Sequence, residues 1–141
     1  MKGDTINRSG VHGTQGIPSP LNTPGARWET CSAWTDSSNN LWLFGGYGED
    51  DNGYGGNLND LCKYDIGTNE WTWMKGSAFI DAQISYGIEG VPDTVNDPGA
   101  RRSYTKWKDT QGSFWLMGGF YYPSLIFSDV WKFDLTVNEW Y

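Results

Sequence analysis

The chain contains the same ordered series of short motifs twice. In the first copy the series reads PGAR at 24–27, LWLFGG at 41–46, NDL at 59–61, KYD at 63–65 and NEW at 69–71. In the second copy it reads PGAR at 98–101, FWLMGG at 114–119, SDV at 128–130, KFD at 132–134 and NEW at 138–140. A repeat of this length, built from short apolar runs, indicates one supersecondary unit used more than once. Such a unit buries its faces only against its neighbours.

The composition favours β-structure. A chain of 141 residues suffices for one ordinary domain, and its 19 glycines indicate frequent tight turns. Short apolar runs between glycine-rich turns, with almost no helical spacing of apolar residues, predict an all-β fold. No apolar run approaches the length of a membrane span, so none is predicted. Acidic side chains outnumber basic ones by 17 to 10, which disfavours a nucleic-acid partner.

Each copy predicts an antiparallel sheet of four strands. In the first copy we predict strand A at 27–35, strand B at 41–46, strand C at 60–65 and strand D at 70–74. Strand B is apolar throughout, which is typical of a strand covered on both faces. Strand A is one residue shorter in the second copy. This predicts either a β-bulge in one copy or an arginine that lies outside the strand.

The motifs divide the chain into two units, 24–74 and 98–141, with connectors at 1–23 and 75–97. Both connectors contain a Gly-x-Pro sequence that is followed four residues later by Asn. We therefore expect 1–23 to be part of a connector from a preceding unit, and the chain to be a piece of a longer array.

The ordered motifs resemble the kelch repeat, whose unit is a four-stranded blade of a β-propeller. The glycine pair after an apolar strand, the Asp-x-x-x-Tyr/Phe-Asp strand and the Asn-x-Trp sequence carry this resemblance. The Pro-Gly-Ala-Arg entry and the exit at 71–77 are similar to bacterial kelch proteins related to the propeller domain of galactose oxidase. The resemblance implies two kelch blades of an incomplete or oligomeric propeller, which need further blades in cis or in trans. It also implies a secreted or cell-surface protein, a compartment that cysteine usage leaves undetermined.

Residues repeated in both copies are interpreted as structural, because a residue kept in every unit usually serves the repeat. The arginine and aspartate are predicted to form a charge-assisted hydrogen bond, the glycine pairs to allow close packing, and the tryptophans to cover the space between blades. The alternatives are an active-site arginine, an anion-binding nest and a ligand-stacking tryptophan. These residues are Arg27, Gly45, Gly46, Asp60 and Trp71 in the first copy and Arg101, Gly118, Gly119, Asp129 and Trp140 in the second.

Segments that differ between the copies are predicted to share one face. The B–C loops at 47–59 and 120–128 differ, the connector 75–97 is long, and alternating strand directions bring all three to the same rim. Variation at one rim of a rigid scaffold is typical of recognition. The alternative is that the aromatic side chains there only hold the loops in place. The candidate contacts for a protein or glycan ligand are Tyr47, Tyr54, Phe79, Tyr86, Phe120, Tyr121, Tyr122 and Phe127.

No catalytic residue, metal ligand or cofactor is predicted. His12 is the only histidine and is interpreted as a surface or packing residue. The copper site that the resemblance would imply needs two histidines and a crosslinked Tyr–Cys pair, so these residues do not encode it. Cys31 and Cys62 are not spaced as metal ligands and are interpreted as small buried side chains, with a disulfide as the alternative. The acidic segment 49–53 lacks the spacing of a calcium loop and is predicted to be solvated.

The sequence therefore favours a non-enzymatic recognition scaffold made of kelch repeats. The alternative is the non-catalytic part of a propeller enzyme, such as a galactose-oxidase-like oxidase or a sialic acid mutarotase.

Overall fold

The computed structural model describes residues 6, 8–29, 33–121 and 123–141. Within these ranges the protein contains strands and turns but no helix, which confirms the all-β prediction. Accordingly, the described residues include no helix with the length and apolar character needed to cross a membrane. The strands are β1 (Arg27–Trp28), β2 (Ala33–Thr35), β3 (Leu41–Glu49), β4 (Gly55–Asp65), β5 (Glu70–Lys75), β6 (Thr105–Lys108), β7 (Phe114–Tyr121), β8 (Leu125–Asp134) and β9 (Glu139–Trp140).

The strands form two antiparallel sheets, one for each copy of the motif series. The first sheet has the order β1-β3-β4-β5, and β2 also pairs with β3. The second sheet has the order β6-β7-β8-β9. Each hairpin between the last two strands turns on an asparagine in the left-handed region, Asn69 with φ 60° and Asn138 with φ 58°. Asparagine tolerates this conformation, as the sequence predicts for both turns.

The sequence predicts either a bulge in one copy or an arginine outside strand A, whereas strand A is interrupted in both copies. Arg27 lies in β1, and Arg101 lies outside the strands, before β6. In the first copy the break begins at Glu29, with φ 53°, and separates β1 from β2. In the second copy Arg102 pairs with Phe120 as an isolated bridge, and Ser103 follows with φ 56°. The extra residue of the first copy falls between Glu29 and Ala33, in a stretch that includes positions outside the described residues.

Strands B and C are longer than predicted, because the glycine pair does not end strand B. The register between β3 and β4 shifts between Phe44 and Gly46, and the ladder then resumes with Gly46 opposite Leu58 and Tyr47 opposite Asn57. A shift of this kind is a β-bulge, which bends a strand without terminating it. The loop between β3 and β4 is consequently 50–54 rather than 47–59, and in the second sheet β7 extends to Tyr121 and β8 begins at Leu125, within the predicted loop 120–128. Four of the predicted loop residues, Tyr47, Phe120, Tyr121 and Phe127, lie in strands instead.

The glycine pair of the first sheet receives the backbone of the second copy. Gly46 N donates to Arg101 O at 3.0 Å, and Arg101 N donates to Leu58 O at 3.1 Å. A Cβ atom at Gly45, whose φ is 53°, would lie 2.8 Å from Leu58 O and 2.9 Å from Arg101 O. A side chain at this position would therefore collide with both backbones. This contact corresponds to the close packing expected from the sequence.

One hydrophobic core lies between the two sheets. Trp42 and Phe44 of β3 face the second sheet, where Phe44 lies 5.3 Å from Trp140, ring centroid to centroid. Trp140, expected to cover the space between units, belongs to this core. Its counterpart Trp71 is only half-buried and packs on Tyr64 of its own sheet, with 5.0 Å between ring centroids.

Candidate functional site

A buried arginine–aspartate pair recurs in each copy. Arg27 donates from both terminal nitrogens to the two carboxylate oxygens of Asp60, each at 2.7 Å. Arg101 donates in the same way to Asp129, at 2.7 and 2.9 Å. Bidentate pairs of this geometry are strong and directional. The pairing expected from the sequence is thus present in both copies, where it joins the start of the unit to the third strand.

Each aspartate has two further side-chain partners, whose chemistry differs between the copies. Tyr86 Oη donates to Asp129 Oδ2 at 3.0 Å, and Trp131 Nε1 donates to the same oxygen at 2.7 Å. In the first copy His12 takes the place of the tyrosine and Cys62 that of the tryptophan. Their distances to Asp60 Oδ2 are 2.9 Å from His12 Nε2 and 3.6 Å from Cys62 Sγ.

The first cluster, comprising His12, Arg27, Asp51, Asp60 and Cys62, has strongly perturbed electrostatics. Burial opposes ionisation of Asp60, but Arg27 and His12 outweigh it and hold the pKa of this carboxyl well below its usual range. Burial also disfavours charge on the imidazole, yet Asp60 and Asp51 raise the pKa of His12. Burial, with the charge of Asp60, raises the pKa of the Cys62 thiol well above its usual value. Because His12, Asp60 and Cys62 are buried, a substrate cannot reach them.

The sequence predicts neither this cluster nor the burial of Asp50, which precedes its member Asp51. His12 and Asp60 are far apart in the sequence, and the only available signal was the alignment of His12 with Tyr86. Asp50, predicted to be solvated, is buried, because its carboxylate accepts from the backbone N–H groups of Asn52 and Tyr54, each at 2.9 Å. Cys62 is a buried free thiol, as expected of a small apolar side chain. Cys31 lies outside the described residues.

A second group, the aromatic surface, consists of Trp28, Tyr47, Arg102 and Phe120. The rings of Trp28 and Tyr47 lie 4.8 Å apart, centroid to centroid. The Arg102 guanidinium lies 4.8 Å from the ring centroid of Tyr47 and 5.1 Å from that of Phe120. Because Arg102 also pairs with Glu29 at 3.1 Å, residues of both sheets are held together here. Trp28 remains 59% exposed.

The aromatic surface includes two of the residues predicted to bind a ligand and two that the sequence analysis missed. Tyr47 and Phe120 were predicted, whereas Trp28 and Arg102 were assigned only to strand A. The available signal was that the residue after the repeated arginine differs between the copies, Trp28 in one and Arg102 in the other. Variable positions beside a fixed motif are candidates for specificity.

The other predicted binding residues lie elsewhere. The ring of Tyr86 stacks on that of Trp131, with 5.4 Å between the centroids. The Arg101 guanidinium lies 4.1 Å from the ring centroid of Phe127. Tyr86 and Phe127 therefore both lie beside the second arginine–aspartate pair. The remaining predicted residues are Tyr54, exposed in the loop 50–54, Phe79, exposed in the connector, Tyr121, half-buried in β7, and Tyr122, which lies outside the described residues.

A cavity of about 640 Å³ lies beside the second sheet. Its lining includes the aromatic residues Tyr86, Trp115, Trp131 and Tyr141, together with Val130 and Lys132 of β8. The Lys132 ammonium lies 4.5 Å from the ring centroid of Tyr141.

No family model matches the chain, and no curated protein matches it.

Proposed function

We propose that the two sheets are adjoining blades of a kelch-type β-propeller, and that the protein is a non-enzymatic scaffold that recognises a protein or carbohydrate ligand. The observation that supports recognition is the aromatic surface, where the exposed Trp28 packs on Tyr47, whose ring also meets Arg102 of the second copy. Tryptophan, tyrosine and arginine are the residues most enriched among the energetic centres of binding surfaces. They offer large contact area with little conformational entropy to lose.

The blade assignment is supported by the way in which one copy covers the other. Phe44 and Leu61 of the first sheet are fully buried by the second sheet. Their counterparts in the motif series, Met117 and Val130, are 47% and 49% exposed. Since equivalent faces of a repeat bury equivalent surfaces, a further sheet of the same kind packs on Met117 and Val130. Val130 also lines the cavity beside Tyr86.

The chain is therefore expected to associate with another copy of itself through this face. Light scattering after size-exclusion chromatography should give a mass above the 15.9 kDa of one chain. Replacing Met117 and Val130, which lie opposite each other in the sheet, with lysine should return the mass to that of a monomer. A double lysine variant at Gln111 and Val137, in exposed turns of the same sheet, adds equal charge and should associate as the wild type does. A monodisperse wild-type monomer would contradict the proposal.

Recognition is tested at Trp28. Glycan arrays and pull-downs from protein extracts first identify a ligand for the wild-type chain. The Trp28→Ala variant should then bind this ligand about 10- to 30-fold more weakly, the loss typical of an energetic centre. Trp107→Ala is the matched control, because Trp107 is also exposed but lies at the opposite end of its sheet, paired with Trp115. Unchanged binding by Trp28→Ala, or an equal loss in Trp107→Ala, would exclude the aromatic surface.

A further inference from the structure

We propose that His12, Asp60 and Cys62 bind a zinc ion in the first sheet. Their ligand atoms lie within 4.8 Å of one another. Nitrogen, oxygen and thiolate ligands at about 2.0, 2.0 and 2.3 Å from a tetrahedral zinc ion stand about 3.3 Å (N to O) and 3.5 Å (S to O) apart. The Cys62 Sγ to Asp60 Oδ2 distance of 3.6 Å matches this geometry, and the His12 Nε2 to Oδ2 distance of 2.9 Å needs to open slightly. The third pair, His12 Nε2 and Cys62 Sγ, lies within 4.8 Å, against about 3.5 Å around a tetrahedral zinc ion. Three protein ligands leave one position of the ion for a water molecule.

A carboxylate behind the histidine supports this assignment. Asp51 Oδ1 lies 2.6 Å from His12 Nδ1, and Asp51 Oδ2 accepts from the His12 backbone N–H at 3.1 Å. Histidines that bind metal usually donate their other ring N–H to a carboxylate, which fixes the tautomer and orients the ring. Here this contact directs Nε2 towards Asp60.

The charge of the cluster also fits a divalent ion. Zn²⁺ forms bonds to His12 Nε2, Cys62 Sγ and Asp60 Oδ2, while the thiol proton and any proton on Nε2 pass to solvent. The carboxylates of Asp51 and Asp60 and the thiolate of Cys62 then balance the charges of Zn²⁺ and Arg27. Arg27 remains paired with Asp60 in both states.

The second copy shows that the hydrogen-bond network does not need these ligands. It keeps the arginine–aspartate pair, yet Tyr86 and Trp131 satisfy the aspartate where the first copy has His12 and Cys62. Both replacements in the first copy are residues that bind zinc, and they meet at the same carboxylate oxygen. The site is therefore specific to the first sheet, and each chain should hold one ion. Because the ligands are buried, the ion enters as the connector that carries His12 folds onto the sheet.

In the experiment, the metal-free chain is refolded with Zn²⁺ or Co²⁺, and the amount of metal bound per chain is then measured. After dialysis against chelator we expect one zinc ion per chain by elemental analysis, and a thiolate-to-cobalt absorption band with Co²⁺. His12→Gln and Cys62→Ser should weaken binding by more than about 100-fold, since even second-shell losses cost about 10- to 100-fold. Cys31→Ser, which removes the only other cysteine, should retain the ion and the band.

A readout on the wild-type chain covers the case in which a variant fails to fold. His12 is the only histidine, so its ring proton resonances report on this site alone. Zinc should shift them and abolish their titration. Refolded wild type without bound zinc, or a cobalt band that persists in Cys62→Ser, would overturn the proposal and would leave the cluster as a hydrogen-bond network only. Neither result bears on the aromatic surface, whose residues are separate.

Discussion

Replacing Arg101 with alanine is expected to lower the free energy of unfolding by about 3–5 kcal/mol, the cost of breaking a buried ion pair from one side. The Arg101 side chain is fully buried, and its guanidinium donates to both oxygens of Asp129 and to Gly118 O at 2.8 Å. Without it, the carboxylate of Asp129 and the carbonyl oxygen of Gly118 lose their charged donor inside the protein. Chemical denaturation followed by tryptophan fluorescence measures the loss.

The adjacent arginine provides the control. Arg102→Ala removes the same chemical group one position along the chain, but Arg102 pairs with Glu29, whose side chain is 47% exposed. An exposed ion pair contributes about 0–1 kcal/mol, and contacts of its guanidinium with Tyr47 and Phe120 add about 0.5–1 kcal/mol each. The Arg102 variant should therefore remain clearly more stable than the Arg101 variant. Equal losses would mean that burial of the Arg101–Asp129 pair does not determine its contribution.

The sheets could be predicted from the sequence because their signals are local and appear twice. Asn69 and Asn138 stand at equal places in two short turns, and both adopt the left-handed conformation that the turn requires. Apolar runs such as 41–44 and 114–117, bounded by turn residues, favour strands, although Leu41 and Met117 at their ends remain exposed. The repetition gives each assignment an independent second test.

The length of the strands could not be predicted, because a glycine pair occurs both at strand ends and at β-bulges within strands. A glycine pair after an apolar run is typical of a strand end, but here the pair forms a bulge, and the ladder continues to Glu49. The second copy forms the same bulge, with the register shifting between Met117 and Gly119 and the ladder continuing to Tyr121, although no further unit among the described residues docks there. The bulge therefore belongs to the sheet itself, and a glycine pair read along the sequence does not distinguish it from a strand end.

The candidate sites were predicted only in part. Tyr47 and Phe120 were selected because aromatic residues in variable segments favour recognition, but their shared partner Arg102 follows from the docking of the sheets. The cluster around Asp60 was missed because a contact between a connector and a strand has no periodicity from which it could be inferred. The alignment of His12 with Tyr86 shows that the two residues occupy equivalent places in the repeat, but it does not show that His12 contacts Asp60.

Replacing Phe114 with alanine is expected to cost about 3–5 kcal/mol of the free energy of unfolding, as for other large aromatic side chains removed from a packed interior. Phe114 is fully buried where the two sheets meet. Its ring stacks on Trp34 with centroids 5.0 Å apart and meets the edge of Trp42 at 5.4 Å. Both tryptophans belong to the first sheet and Phe114 to the second. Alanine at position 114 therefore leaves a cavity where the two sheets are now in contact.

The strands that are destabilised by Phe114→Ala show whether the two sheets share one core or are stable separately. Leu125→Ala in the same sheet is the control, since Leu125 is 56% exposed and its truncation should cost less than about 0.5 kcal/mol. If the sheets share one core, Phe114→Ala should lower the stability of both, and amide hydrogen exchange should accelerate in β3 as well as in β7. Faster exchange confined to β7 would show that the first sheet does not depend on the second. The account of the repeat would then fail, because a unit of this kind is stable only against its neighbour.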